Sequence, residues 1–266
     1  MLFLVKPLKS NMDLNEMYYV KSKHLKKFKH GFFSRLNGVS TGSYTSLNCG
    51  YSSLDKRDNI DRNRKIISET LGFNADSLIV PNQYHSNKIL ITDNLSNKFK
   101  CDGLINFYSN IALGVLTADC CPILVADKKN IFTGCMHVGW KGLYNQIIEN
   151  FILEIEKMNL KKENIIFAIG PCISKKSYQV SEDFRENFIS KEQQSINYFY
   201  FNKSNNNLYF NIKGLIKKKL NLLGFKNIWT SKLDTYTNND RFFSYRYSCH
   251  NNIKDYGRML SVIVKK

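Results

Sequence analysis

The pattern of apolar and polar positions is densest over residues 111–142, IALGVLTADCCPILVADKKNIFTGCMHVGWKG. An apolar run is interrupted by polar residues at 117–122 and resumes for four residues. It then turns at 127–130 and returns as a second apolar run into Gly139-Trp140-Lys141-Gly142. Two short apolar runs about a compact polar turn predict a β-hairpin. With the turn centred between Lys128 and Lys129, Cys120 lies directly across from His137. Directly paired residues share a face with Cβ atoms about 4.5–5.5 Å apart, a separation at which a thiolate and an imidazole can hold one transition-metal ion. The pairing also fits a buried thiol and a satisfied histidine at a strand end, so the hairpin alone leaves both readings open. Pro122 has no N–H for a ladder, which predicts a kink or a sheet edge there.

Elsewhere the pattern predicts strands at 2–5, 78–80, 89–91, 104–107, 165–169, 226–229, 242–245 and 259–264, and an aromatic hairpin of 198–201 with 208–210. Helices are expected at 57–71, where Ile60, Ile66, Ile67 and Leu71 share a side, at 181–189, and at 215–223, closed by Gly224. Another opens at Gly142, where Leu143, Ile147, Ile148, Phe151, Ile152 and Ile155 recur at helical spacing. Residues 12–29 are basic and polar with some helix. The Gly- and hydroxyl-rich loop 37–43 can turn backbone N–H groups towards an anion, or serve only as a connection. His85 falls in a polar turn between strands, where a ligand would be accessible or a histidine simply exposed. No repeat, linker-like tract or charge block divides the chain, so it reads as one mixed α/β (α+β) domain over residues 1–266.

Composition sharpens this picture in a few respects. A hydrophobic fraction of 43% with 18 Phe and 15 Tyr is ample for a core. The formal net charge of +17 is of the kind that steers nucleic acid or acidic ligands. The lysines, however, are scattered along the whole length among abundant Asn, a general bias and not a patch. Seven cysteines form no CxxC pair, and the opening Met-Leu-Phe-Leu-Val meets Lys6 too soon for a secretory signal. Both point to reduced thiols in a cytoplasm. No stretch approaches the roughly 18 apolar residues of a membrane span, and no Walker-type or dinucleotide-type glycine loop occurs.

Several fragments occur together in order: Asn82-Gln83-Tyr84-His85-Ser86, Asp102-Gly103-Leu104, Ala118-Asp119-Cys120-Cys121-Pro122, His137-Val138-Gly139-Trp140 and Gly170-Pro171-Cys172-Ile173. With residues 31–35 and Asn48 before them, and Phe243-Ser244-Tyr245-Arg246 and Gly257-Arg258 after, they resemble the laccase-domain or YfiH-like family across residues 30–264. The resemblance implies an α/β/β/α layered sandwich of mixed sheets. It also implies a cytoplasmic metal-dependent enzyme acting on purine nucleosides with phosphate, a purine nucleoside phosphorylase with adenosine deaminase and methylthioadenosine phosphorylase activity. His85, Cys120 and His137 take the places of the family's metal ligands and catalytic residues, and the hairpin pairing meets the resemblance on two of the three. Three protein ligands leave zinc one open position, as catalytic zinc sites do. The multicopper label attached to the family does not fit this sequence, because copper centres of that kind need roughly ten imidazoles and the chain has five His. Zinc is the expected metal, with copper the other ion that such a donor set accepts.

Around the triad, Arg35, Lys141, Arg246 and Arg258 are the expected phosphate-holding cations, Arg as a fork and Lys as a point charge. Asp119 and Gln83 are expected to orient the ligands or bind the base, and Ser34 and Asn48 to meet the ribose; each equally suits a structural hydrogen bond. Tyr84 and Phe243 are candidates for stacking on a purine or for the core. The chain departs from the family's pattern with Lys141 for Arg, Tyr236-Thr237 for Cys-Thr and Arg246-Tyr247 for Arg-Arg, which bears on substrate preference and not on the triad. Two further readings stay open. One is a hydrolase that edits peptidoglycan precursors, with Cys120 as nucleophile and His137 as its base. The other is a non-enzymatic, basic nucleic-acid-binding protein whose affinity falls steeply with salt.

Overall fold

The structure, a computed structural model, describes residues 19–92 and 99–266; the strand expected at 2–5 and the beginning of the basic stretch lie outside them. In chain order the strands are β1 (Tyr19–Val20), β2 (Lys29–Phe33), β3 (Leu78–Ile79), β4 (Ile89–Ile91), β5 (Gly103–Asn106), β6 (Ala112–Thr117), β7 (Cys121–Asp127) and β8 (Thr133–Val138). The second half adds β9 (Ile165–Ile169), β10 (Gln179–Val180), β11 (Phe199–Asn202), β12 (Asn207–Phe210), β13 (Asn227–Thr230) and β14 (Met259–Val264). The helices are α1 (Arg57–Leu71), α2 (Trp140–Tyr144), α3 (Ile147–Glu156), α4 (Glu182–Lys191), α5 (Ile212–Leu222) and α6 (Tyr245–His250).

Two mixed sheets lie face to face. One is five-stranded in the order β1-β2-β14-β6-β3, the other six-stranded in the order β13-β9-β7-β8-β5-β4. Strands covered on both faces read as unbroken apolar runs, and β7, β8, β9 and β14 are buried throughout. Along β7 the period of two still sorts the residues. Cys121, Ile123 and Val125 pack with Phe151 and Ile155 of α3 and Leu215 and Ile216 of α5. Leu124 and Ala126 face the other sheet, meeting Phe32, Leu113, Val115 and Ile263. The outer face of the five-stranded sheet, Phe33, Leu260, Val262 and Val264, is covered by Ile67 and Leu71 of α1. The layers are therefore helix, sheet, sheet, helix. The aromatic hairpin forms as expected and, with β10, makes a three-stranded sheet in which Phe199 stacks on Phe210 at 4.7 Å.

The connections explain where a site can form. β3 pairs in parallel with the start of β6, and the chain beyond it runs on beside β6 to Gln83, which bonds Leu116, so the two segments end side by side. From each end the chain leaves the five-stranded sheet and enters the six-stranded one, through residues 80–88 to β4 and through residues 118–120 to β7. Both crossings thus stand at one edge of the intersheet layer. The C-terminal end of β8 reaches the same edge, because β8 runs antiparallel to β7.

Helix α1 begins and ends where its periodicity predicts, with Gly72 in the left-handed conformation (φ 67°) as its C-cap. Elsewhere the structure corrects the sequence reading. Pro122, not Cys120, is the direct partner of His137, and Cys121 pairs with Val138. The turn is centred one residue later than expected, with Asn130 taking the left-handed conformation (φ 60°) that Asn tolerates. A shift of two residues keeps each side chain on its face, so Cys120 stays on the side of His137 but diagonal to it and just beyond β7. The helix expected from Gly142 is two helices, broken where Gln146 turns left-handed (φ 68°) and Asn87 donates to the Asn145 carbonyl. The strand expected at 242–245 does not form. Ser244 caps α6 by accepting from the Tyr247 N–H, and Phe242 and Phe243 bury themselves beside Met259.

Gly170, just after β9, donates its N–H to the Pro122 carbonyl and lies against the Phe32 ring, where a Cβ would fall far inside van der Waals contact. Gly170→Ala is expected to cost about 1–3 kcal/mol of unfolding free energy, read as a lower urea midpoint at unchanged m-value. An unchanged midpoint would show that the two sheets have slack at this point.

Candidate metal centre

Each crossing is pinned before it presents its side chain. In the second, Asp119 takes a left-handed conformation (φ 85°) and is buried. Its carboxylate accepts from Thr235 Oγ1 (2.6 Å), Ser244 Oγ (2.9 Å) and the Arg246 N–H (2.7 Å). Burial pushes that carboxyl up, and these hydrogen bonds only partly offset it. The Asp119 carbonyl accepts from the Ile173 N–H, continuing the β7–β9 ladder beyond the strand. Asp119 therefore acts by fixing the bend that turns Cys120 outward.

In the first crossing, the Gln83 amide donates to the Leu116 carbonyl and accepts from its N–H, both at 2.8 Å, imitating a strand partner of β6. His85 follows in a left-handed conformation (φ 62°). The Asp102 carboxylate holds the loop by accepting the N–H groups of Tyr84, His85 and Ser86 and the Ser86 hydroxyl. The same carboxylate lies 2.7 Å from His137 Nδ1, and the His137 N–H donates to the Asp102 carbonyl. With Nδ1–H directed to Asp102, Nε2 of His137 is left free to take a ligand, the arrangement that sets metal-binding imidazoles.

One donor atom each from His85, Cys120 and His137 lies within 4.8 Å of the others, and His85 Nε2 is 3.9 Å from Cys120 Sγ. Zinc bonds of about 2.0–2.3 Å place tetrahedral ligand atoms roughly 3.3–3.8 Å apart, so the donor set fits a single ion after small adjustments. A Cβ on Gly139 would sit 3.0 Å from both Cys120 Sγ and His85 Cδ2, which is why a glycine follows the β8 histidine by two positions. Burial alone would raise the Cys120 thiol, but the charge and hydrogen bond of His137, helped by His85, bring it down to about 6. Burial likewise pulls His137 down, and the Cys120 thiolate and the Asp102 carboxylate push it up to about 10. Asp102, despite its burial, is held below the usual carboxylate range by its bonds from His137 and Ser86.

A cavity of about 1100 Å³ opens onto the triad, and Gln83 and Arg258 line it as well. The other anticipated residues stand elsewhere. Ser34 is buried and accepts from the Leu36 N–H. Asn48 is buried and holds the Gly50 and Arg258 N–H groups. Arg35 spends its guanidinium on the Thr45 and Asn239 carbonyls and lies 4.4 Å over the Phe243 ring, so Phe243 is core. Tyr84 is exposed beneath Lys100. Arg246 lines a second cleft of about 520 Å³ with Trp140, Tyr178 and His250, and Lys141 lies beside Trp140. Sequence reasoning gave no role to Asp102, which it named only within a family-like fragment, and passed over the cavity residues Tyr51, Arg57, Arg64, Lys65 and Tyr256. Arg57 and Arg64 are seven apart, hence on one side of α1, but nothing in the sequence says what that side faces.

A four-layer α/β fold that brings one thiol and two imidazoles together where its two sheets meet defines a class of protein with a candidate metal centre at that edge. Residues 29–266 match the family described as multi-copper polyphenol oxidoreductase laccase, and the chain belongs to that family. A protein named purine nucleoside phosphorylase from Rickettsia prowazekii is 34% identical over 202 residues, 76% of this chain and 83% of that one. Another of the same name, from Staphylococcus epidermidis, is 30% identical over 258 residues, 90% of this chain and 92% of that one. The crystal structure of the Bacillus licheniformis hypothetical protein YfiH superposes with a TM-score of 0.86 at 25% identity, covering 96% of this chain and 98% of that one.

The thiolate is the reactive form of cysteine and is populated above its pKa. In metal-free protein, alkylation of the Cys120 peptide by iodoacetamide is expected to stay fast as pH falls to about 6 and to slow only below it. A decline already at the pH of an ordinary thiol would remove the imidazole pair as its cause. Asp102→Asn is expected to weaken zinc binding about 10–100-fold in competition with a chelator, while the three donor residues remain.

Proposed function

We propose that the protein is a zinc-dependent purine nucleoside phosphorylase. It exchanges the base of adenosine, inosine or methylthioadenosine for phosphate, with adenosine deamination as a side reaction at the same centre. The observation that carries this reading is the convergence of His85, Cys120 and His137 on one wall of a cavity that also holds Arg258 and other cationic side chains. A metal donor set and an anion-attracting wall in one space suit a reaction in which phosphate and a departing base meet. The C1′–N9 bond breaks, a C1′–O bond to phosphate forms, and the base leaves with the electron pair and takes up a proton. Zinc, when bound, supplies Lewis acidity for the charge that develops. Asp102 holds the His137 ring in one tautomer, Gln83 fixes the His85 loop to β6, and Gly139 leaves room for both donors. The three-donor set and the supply of five His in the whole chain favour one zinc over a cluster of coppers.

A second reading has its own support. Cys120, His137 and Asp102 stand in series as thiolate, imidazole and carboxylate, the order of a cysteine nucleophile with its base and orienting acid. That arrangement suits the hydrolase editing peptidoglycan precursors. His85 favours the first reading, because a nucleophile needs one imidazole and Cys120 faces two.

Purified protein carrying one zinc is expected to convert inosine and phosphate to free base and ribose 1-phosphate, and Cys120→Ala to lose the metal and the turnover together. Turnover by metal-free protein, blocked by a thiol-directed inhibitor, would instead assign Cys120 as nucleophile.

A further inference from the structure

The cavity has a second wall whose construction the triad does not explain. Three cationic residues of α1, Arg57, Arg64 and Lys65, line it together with Arg258, which precedes β14. Arg57 and Arg64 project from one side of the helix, about 20° apart around its axis. Both guanidinium groups lie over the Tyr51 ring, at 4.9 Å and 4.0 Å. Tyr51 in turn donates its hydroxyl to Asp61, a carboxylate of the same wall.

Arg64 and Arg258 are fixed by one short loop. The Cys49 carbonyl accepts from Arg64 Nε (3.0 Å) and Nη2 (2.9 Å). Asn48 Oδ1 accepts the Arg258 N–H, and the Cys49 N–H donates to the Arg258 carbonyl. Asn63, the neighbour of Arg64, donates to the Asn48 carbonyl and so ties the loop to α1. Gly50 completes the fit, since a Cβ there would stand 2.6 Å from Arg258 Cδ. The Arg258 side chain is further held by the Tyr256 carbonyl (2.9 Å), with Asp255 at 3.8 Å.

These guanidinium groups are thus anchored mainly by carbonyls and ring faces. Among the described residues Arg64 makes no ion pair, and its Nη1 makes no hydrogen bond to protein. Removing a cation from water is costly unless an anion answers it, and burial depresses the pKa of the half-buried Arg64 more than neighbouring Asp61 and Tyr51 raise it. A fork held on one side by a carbonyl keeps its remaining N–H groups for a tetrahedral oxyanion.

We propose that Arg64 and Arg258, set by the loop of Asn48, Cys49 and Gly50, form the subsite for a dianionic phosphoryl group in the cavity facing the triad, with Arg57 at its rim. The assignment rests on the phosphorylase reading for the identity of its ligand as inorganic phosphate. The anion-binding geometry itself is independent of that reading.

The probe is inorganic phosphate, titrated calorimetrically into zinc-loaded protein without nucleoside. Saturable binding at one site is expected, weakened about tenfold or more by Arg64→Gln and by Arg258→Gln, with zinc content and circular dichroism unchanged. Arg64→Lys and Arg258→Lys, which keep the charge but lose the fork, are expected to fall between and stand in if a Gln variant fails to fold. Absence of saturable binding by the parent protein, or equal binding by folded variants, would overturn the subsite. Phosphate binding that responds to both arginines without any phosphorolysis would keep the subsite and remove the phosphorylase reading. Phosphorolysis whose phosphate KM ignores both arginines would do the reverse. A parallel titration with a nucleoside 5′-monophosphate distinguishes free phosphate from a phosphomonoester as the source of the group, and arginine-dependent binding in either arm supports the assignment.

Discussion

The candidate centre depends on one carboxylate. Asp102 is buried at the start of β5, and it receives three consecutive backbone N–H groups, a hydroxyl and an imidazole. A buried charge is tolerable only when it is answered by donors on all sides. Here the donors come from the His85 loop and from His137, so satisfying the charge brings two of the three donor residues to one place. The third comes from the neighbouring crossing, where Asp119 does related work for Cys120 through the C-terminal segment. Neither aspartate belongs to the donor set, yet each sets the conformation of a donor.

This division of labour follows from the sheets. The two crossings between these sheets leave from one place, because β3 runs parallel to β6 and Gln83 keeps the chain beside β6 as far as Leu116. Loops at strand ends lack ladder partners and can adopt the left-handed conformations seen at His85 and Asp119. Side chains then replace the missing ladder: Gln83 on Leu116 as donor and acceptor, Asp102 on the His85 loop and Asp119 on Arg246 as acceptors. The rigid part of the fold holds the ends, and the polar residues decide how the link between them bends.

Much of this was legible in the sequence. The strands at 165–169 and 259–264 and the helix at 57–71 formed at their expected bounds because buried apolar runs and an amphipathic stripe leave a strong local mark. The grouping of the triad was legible only through ordered motifs that resemble a family. The hairpin register was misplaced because Lys128, Lys129 and Asn130 give no local preference between neighbouring turn centres, and Asn130 decided it by accepting a left-handed conformation. Strands covered on both faces carry no alternation, so nothing local assigned β6 and β7 to different sheets. For the same reason the cationic face of α1 could not be placed over the cavity. The break at Gln146 has no Gly or Pro to announce it, and the helical capping by Ser244 was hidden behind two phenylalanines.

The two crossings have a mechanical consequence. His85 and Cys120 are carried by the links that join the layers, and His137 by a strand of one layer alone. An ion gripped by all three would therefore be a rivet through the sandwich, opposing any sliding of one sheet over the other. The binding energy of such an ion would be available only to the closed stack, so a metal at this edge would tighten the seam between the sheets as well as the pocket beside it.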